Sequence, residues 1–481
     1  MLKPEIAIRA DGNADIGLGH IHRMLAFAGY FKELFSVTFF CYEADKLVTD
    51  LITNNGFKHE VIKDAVNPEY LIGLLRGEEI IVLDGYEFKT DYQLALKEAG
   101  HRVIAIDDLN EWENVADVVI NHAYSGKRAD YKLSENIIFC AGLKYAIIKQ
   151  EVLNSRGLVP KETIGNVLVS IGGTDPFNYS QQIIEALLNG TSKNIFVLTY
   201  PLNPKFKLLT ELADKNQGQV KLIHSLNTIE LIQLIQESDL AILQPSNIAL
   251  EAAAIGTGMC LIQTAENQKY IYDTLMKNQC AVKLEESNIA AQINSITLSD
   301  INAQMQHQQA LLDGRSPNRI IDVVNQLCLK NRKVMIDDAK LIYDWNNDDV
   351  TRANSYNQNK IEFSDHLNWF ENKVKDEAVF FRMFTFENVP AGCVRIESKS
   401  NENIIGITIA PEMRGKRLAT PILKAACKTY FEDAKQKDIS AYIKKSNEAS
   451  LKSFVNAGFV VIDENMYFGE LSYKLIKHSN E

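Results

Sequence analysis

A chain of 481 residues exceeds one ordinary domain, and about 150 residues per domain predicts roughly three. Its 62 acidic residues outnumber 51 basic ones, for a net charge of −11, which argues against nucleic acid as the main partner. No apolar run is long enough to span a bilayer, and the first residues lack the apolar stretch of a secretory signal, so a cytoplasmic protein without a membrane partner is expected.

The first elements in chain order are a strand over Glu5 to Arg9 and a helix on which Ile21, Leu25, Ala28 and Phe31 recur at helical spacing. Between them runs Arg9-Ala-Asp11-Gly-Asn-Ala-Asp-Ile-Gly17-Leu-Gly19-His20-Ile-His22-Arg23, a glycine loop that carries a histidine into a helix start. Glycines permit close backbone approach to a ligand, and a helix start offers unpaired N–H groups to an anion. A structural turn accounts for the glycines equally well; His20 with Arg9, Asp11 and Arg23 favours a site. His20 and His22 do not suit a metal, because residues two apart on a helix point in different directions. Strands Glu79 to Leu83 and Arg102 to Ile106 follow, ending in Asp84 and in Asp107-Asp108, and the alternation with helices predicts a parallel sheet over residues 1–155.

A second βα series predicts another lobe over residues 156–329, with strands at Asn166–Ile171, Asn194–Leu198, Val220–Ile223, Leu240–Leu243 and Gly258–Ile262. Gly172-Gly173-Thr174-Asp175 follows its first strand, and Gln244-Pro245-Ser246-Asn247 opens a helix carrying Glu251, both at carboxyl ends of strands where open α/β sheets bind ligands. Ser246 and Asn247 suit a helix cap as well as a diphosphate, while the two oxygens of Glu251 suit the cis-diol of a ribose. Asn267-Gln268 falls on the same rim. After a helical stretch from Ser316 to Leu329, Lys330-Asn-Arg-Lys333 reads as a linker to a third unit over residues 334–481. That unit begins with an amphipathic helix around Asp337 to Asn347 and continues with strands Ala378–Phe386, Ala391–Ile396 and Ile404–Ile409. The loop Met413-Arg414-Gly415-Lys416-Arg417-Leu418-Ala419 then leads into a helix over Thr420–Phe431 as a second, more basic anion cradle. Seven scattered cysteines without a Cys-x-x-Cys predict free, buried thiols and no metal.

These residues carry a resemblance. Arg9, Asp11, Gly17, Gly19, His20, Arg23, Asp84-Gly-Tyr86, Asp107-Asp108, Gly172 to Asp175, Ser246-Asn247, Glu251 and Asn267-Gln268 together resemble the UDP-sugar hydrolases of pseudaminic acid biosynthesis, relatives of two-lobed GT-B-like glycosyltransferases. The resemblance implies an α/β fold of two Rossmann-like lobes with a cleft between them and a UDP-sugar as substrate. His20, Asp11 and Tyr86 are then the expected catalytic residues. Arg9, Gly17, Gly19, Arg23, Asp84, Gly173, Asp175, Ser246, Asn247, Glu251, Asn267 and Gln268 are expected at the substrate. A neutral His20 imidazole suits a base for water near pH 7, and UDP leaves without a protonating carboxylate.

The last region is similar to the GNAT acetyltransferases, an α/β fold, through Arg414, Gly415, Lys416 and Ala419, with Arg417 standing where the family has a glycine, and through Asn447-Glu-Ala-Ser450. That resemblance implies acetyl-CoA as co-substrate, held by Ile409, Arg414, Gly415, Lys416, Arg417, Leu418, Ala419, Asn447 and Ser450. Phe454 falls where relatives carry a Tyr that protonates the departing thiolate, leaving Tyr467 or Tyr473 as substitutes, and Glu412 or a water chain as base. The expected whole is a bifunctional sugar-nucleotide enzyme; a glycosyltransferase with an acceptor alcohol, a hydrolase for a related UDP-diamino sugar, a binding module and an acetyltransferase acting on a protein N-terminus are the alternatives. The oligomeric state is not legible.

Overall fold

The structure is a computed structural model that describes residues 3–12, 17–77, 79–157, 159–172, 175–189, 194–200, 203–224, 226–399, 402–433 and 438–479. It divides into two compact units, residues 1–320 and 321–481. The first unit holds two parallel sheets. Strands β1 (Glu5–Ala10), β2 (Ser36–Tyr42), β3 (Lys58–Ile62), β4 (Ile80–Asp84), β5 (Arg102–Ile106), β6 (Val118–Asn121) and β7 (Ile138–Ala141) pair in the order β3-β2-β1-β4-β5-β6-β7. Strands β8 (Asn166–Ser170), β9 (Asn194–Leu198), β10 (Val220–Ile223), β11 (Leu240–Leu243), β12 (Gly258–Leu261) and β13 (Val282–Lys283) pair in the order β10-β9-β8-β11-β12-β13.

Both sheets are made of apolar runs because helices cover their two faces and both sides of each strand lose contact with water. Ile80, Ile81, Val82 and Leu83 are all buried, as are Leu240, Ala241, Ile242 and Leu243. The strand order reverses between β1 and β4 in one sheet and between β8 and β11 in the other. A reversal sends the flanking crossovers to opposite faces and opens a crevice at the carboxyl ends, so each lobe presents one binding crevice there. The lobes also share a core, in which Ala123, Leu143, Ala146, Ile148 and Val152 pack with Leu250, Ala253 and Leu275.

The second unit is a mixed sheet. Strands β14 (Leu329–Lys333), β15 (Phe380–Phe386), β16 (Val389–Lys399), β17 (Glu402–Ile409), β18 (Ile439–Lys444), β19 (Val460–Tyr467) and β20 (Glu470–Lys477) pair in the order β14-β15-β16-β17-β18-β20-β19. The basic run expected to be a linker is therefore corrected to β14, an edge strand whose Leu329 to Lys333 pair antiparallel with Phe386 to Arg382. Its polar side chains suit an edge, where one side and one face meet solvent. The parallel pair β17/β18 is joined at only two positions, Asn403 with Ile439 and Ile404 with Ser440. Past those pairs β17 continues to Ile409 and β18 to Lys444, and the sheet opens as a fork. All seven cysteines are buried.

Close packing in the second lobe leaves no room for a side chain at Gly258, where a Cβ would lie 2.5 Å from Cγ2 of the fully buried Ile301. Gly258→Ala is expected to cost about 1–3 kcal/mol through overpacking. A lower Tm for the first unit by differential scanning calorimetry checks it.

Candidate functional site

The first crevice is built where β1 and β4 deliver their last residues. Gly12 allows the loop to fold against the following helix, since a Cβ there would sit 2.6 Å from Cγ1 of Ile21, and Gly17 takes φ +83°, a conformation open mainly to glycine. The helix Gly19–Phe31 then begins without a side-chain cap at Leu18 and places His20 in its first turn. The Nδ1 atom of His20 lies 2.7 Å from Oδ1 of Asp84, the last residue of β4. That contact assigns the Nδ1 proton to the bond with the carboxylate and leaves Nε2 as the free acceptor.

Asp84 is fully buried and is also gripped by Arg23, whose Nε donates to Oδ2 at 2.9 Å and whose Nη2 donates to Oδ1 at 2.5 Å. Nη1 of Arg23 donates to Asp108 at 2.9 Å and lies 3.5 Å from Nε2 of His122. Burial opposes the charge on His20, but Asp84 outweighs it and raises the imidazole pKa above its ordinary value. Burial also disfavours the Asp84 carboxylate, and Arg23 with His20 overcomes this, holding it well below the usual range. His122 is fully buried and pushed down to about 4, first by burial and then by Arg23, so it is neutral.

Tyr86, two residues beyond Asp84, meets the His20 ring edge-on at 5.1 Å. Its hydroxyl accepts a hydrogen bond from Nδ2 of Asn267 at 2.9 Å, which ties the first crevice to the rim of the second lobe. In that lobe Ser246 occupies the N-cap of the helix Asn247–Ile255 yet makes no side-chain cap bond, so the alternative reading of its side chain as a helix cap is not taken up. Glu251 lies one turn on; burial pushes its carboxyl up to about 7, opposed by Lys149. The seven residues His20, Tyr86, Ser246, Asn247, Glu251, Asn267 and Gln268 thus come from the loops after β1, β4, β11 and β12 and the helices that those loops lead into.

Several residues expected at the substrate are instead engaged inside the protein. Arg9 is fully buried, pairs with both oxygens of Asp11 and stacks over Phe88 at 4.8 Å; Asp11 also accepts from the backbone N–H of Tyr42. This pair ties β1 to β2 and braces the loop. Arg23 and Asp84 are likewise buried and meet each other and His20. Asp175 accepts from the N–H groups of Tyr179 and Ser180, each at 2.9 Å, and so caps the helix Tyr179–Leu188. Gln268 accepts from the N–H groups of Thr264 and Ala265 and donates to Gln244, which holds the rim that presents Asn267. Gly173 lies outside the described residues, as do Asn13 and Thr174. His122 and Lys149 were not anticipated; for His122 the available signal was its place just after β6, matching Asp84 at the end of β4 and Asp108 after β5. Among the described residues no group of three or more His, Cys, Asp or Glu is arranged to hold a metal ion.

In the second unit the basic loop lies at the mouth of the fork. Ile409 ends β17, a short 3₁₀ turn covers Pro411–Met413, and the helix Ala419–Asp433 follows Gly415, Lys416, Arg417 and the buried Leu418. Gly415 takes φ +78° and Arg417 φ +59°, so the position where a glycine was expected adopts the glycine-type conformation with a side chain present. Arg414 is not free: it pairs with Asp348 at 2.6 Å and donates to Thr351 at 2.9 Å. Asn447 caps the helix Glu448–Asn456 by accepting from the N–H of Ser450. Phe454 is buried against Phe459. Tyr467 lies on the outer strand β19, where its hydroxyl donates to Asp463 and its ring meets Tyr442 of β18 edge-on at 4.9 Å. Tyr473, on β20, is paired in register with Ile443 of β18.

Residues 329–460 match the acetyltransferase (GNAT) domain family, and residues 171–325 match the UDP-N-acetylglucosamine 2-epimerase family. An uncharacterised protein of Methanocaldococcus jannaschii is 25% identical over 95% of this chain and 96% of its own length. The UDP-2,4-diacetamido-2,4,6-trideoxy-beta-L-altropyranose hydrolase of Campylobacter jejuni is 26% identical over 55% of this chain and 93% of its own. The spore coat polysaccharide biosynthesis protein SpsG of Bacillus subtilis is 22% identical over 58% of this chain and 83% of its own. Among solved structures, the spermidine N-acetyltransferase of Vibrio cholerae with CoA and spermine is 16% identical, covering 32% of this chain and 97% of that one at a TM-score of 0.30. The N-terminal half is thus homologous to the altropyranose hydrolase, and the chain joins an epimerase- and hydrolase-like sugar-nucleotide region to a GNAT acetyltransferase domain.

In Asp84→Asn the His20 imidazole loses the charge that raises it, so its titration is expected to move to lower pH, as read by NMR of the ring protons. Arg417→Gly removes a side chain from left-handed backbone that costs about 1 kcal/mol. Its expected outcome is a Tm about 2–4 °C higher for the second unit, by calorimetry.

Proposed function

We propose that the chain carries out two consecutive steps of pseudaminic acid biosynthesis. The C-terminal domain acetylates the amine of UDP-4-amino-4,6-dideoxy-N-acetyl-β-L-altrosamine with acetyl-CoA. The N-terminal unit then hydrolyses the resulting UDP-2,4-diacetamido-2,4,6-trideoxy-β-L-altropyranose to UDP and the free sugar. The observation that carries the hydrolase reading is the Asp84–His20 pair at 2.7 Å, with Nε2 left free, the ring meeting Tyr86, and Tyr86 bonded to Asn267 of the second lobe.

In this reading Nε2 of His20 takes a proton from water, and the water oxygen attacks the anomeric carbon on the face opposite UDP. The bond from that carbon to the diphosphate oxygen breaks with inversion, and the electron pair leaves with UDP. Asp84 fixes the ring and stabilises the imidazolium that forms, which suits a buried carboxylate held ionised by Arg23. Ser246 and Asn247 meet the diphosphate at a helix start, and Glu251 takes the ribose hydroxyls. Tyr86 and Asn267 hold the sugar from opposite lobes.

In the acetyltransferase domain the amine nitrogen attacks the thioester carbonyl and CoA leaves as a thiol. The loop Arg414 to Ala419 receives the pyrophosphate through Gly415, Lys416 and Arg417, while Arg414 is committed to Asp348. The fork between β17 and β18 admits the thioester arm. Acetylation logically comes first, because its product is the substrate of the hydrolase, and sharing one chain raises the effective concentration of each site for the other's product.

Purified full-length protein given the 4-amino UDP-sugar is expected to release UDP rapidly only when acetyl-CoA is added. CoA release without UDP sends the N-terminal unit to another substrate or to an acceptor alcohol; release of neither overturns the sugar assignment. With the diacetamido UDP-sugar supplied directly, His20→Asn is expected to lose roughly 10²–10⁴-fold in turnover while still binding UDP.

A further inference from the structure

Hydrolysis of a sugar nucleotide adds negative charge to the diphosphate as the bond to the anomeric carbon breaks, and a fixed cation aimed at that charge lowers the barrier. The arginines of the first crevice are not available for this. Arg9 is buried against Asp11, and Arg23 is buried between Asp84 and Asp108. Lys149 is differently placed. It stands at the N-cap of the short helix Gln150–Asn154, which joins the lobes and packs against the helices Gly19–Phe31, Thr228–Glu237 and Asn247–Ile255. Two of those three helices begin at the residues that carry the reaction, at His20 and at Ser246.

The ammonium of Lys149 donates to the Thr228 hydroxyl at 2.9 Å and has no carboxylate ion pair among the described residues. The titratable groups that face it do not neutralise it. His22, on the helix of His20, is pushed down to about 4 by burial and then by Lys149, so it is uncharged. Glu251 is pushed up to about 7 by burial, and near neutral pH it supplies only part of a charge. Glu151, two residues on, is exposed. An under-compensated ammonium at this junction is expensive without an anion and favourable with one.

We propose that Lys149 is a binding residue for the nucleotide's diphosphate, the cation that meets the charge developing on the leaving group. The assignment rests on the hydrolase reading above. Lys149 keeps its proton throughout; only the carbon–oxygen electron pair moves, to the diphosphate oxygen.

Isothermal titration of the full-length chain with uridine, UMP and UDP tests this without turnover. Lys149→Met is expected to weaken UDP binding by about tenfold or more and UMP by less, leave uridine within about twofold, and Lys149→Arg to retain UDP. Unchanged UDP affinity in Lys149→Met overturns the proposal, and so does an equal loss for uridine and UDP, which marks a purely structural role. A wild-type chain that binds neither uridine nor UDP overturns the hydrolase reading itself, and the assignment of Lys149 with it.

Discussion

The buried guanidinium of Arg23 is the constraint on which the first crevice depends. One positive charge serves two carboxylates, Asp84 and Asp108, and the group as a whole is short of one proton's worth of charge. His20 stands at its edge with Nδ1 committed to Asp84, so a proton arriving on Nε2 completes the balance. His122, 3.5 Å from Arg23, stays neutral first because it is fully buried and then because of that guanidinium, which together outweigh Asp108 and Asp84. Stranding one member of such a buried set costs about 3–5 kcal/mol, which makes geometry and protonation at His20 inseparable from the integrity of the lobe.

The two lobes of the first unit use one topological device for different purposes. Reversal of strand order at β1/β4 brings together the loop of His20 and the end of β4, and reversal at β8/β11 brings together the loops of Gly172 and Ser246. In the first lobe the crevice is filled from behind with charge. In the second it is left with a helix start, a hydroxyl without a cap bond and a carboxyl near its titration point. The Asn267–Tyr86 hydrogen bond makes these two environments walls of one cleft.

Much of this was legible in the sequence because parallel strands buried on both faces announce themselves as short apolar runs. Arg102–Ile106, Asn194–Leu198, Val220–Ile223 and Leu240–Leu243 coincide with the observed strands to the residue. The polar strand β14 was not legible, because an edge strand needs no apolar pattern and Lys330 to Lys333 reads like any solvated connector. At the site, residue type marked loops that the fold brings to the carboxyl ends of strands, but not the depth of each side chain. Arg9, Asp11, Arg23, Asp84 and Asp175 look like ligand-binding groups in one dimension; only packing reveals that each satisfies a buried partner first. The partnership of Arg414 with Asp348 was hidden for the same reason, since 66 positions separate them in the chain.

The opening between β17 and β18 has a consequence of its own. Inside a sheet, each strand past the two shared pairs presents N–H and C=O groups to a gap where a neighbour would ordinarily bond them. A ligand arm that carries amides can supply those bonds and stand in for the missing strand, so that the sheet is continuous only when loaded. Folding and ligand capture in the second unit then draw on the same free energy, and its resistance to unfolding scales with the logarithm of ligand concentration. A cell's supply of the activated acyl donor would in that sense set the lifetime of the domain that consumes it.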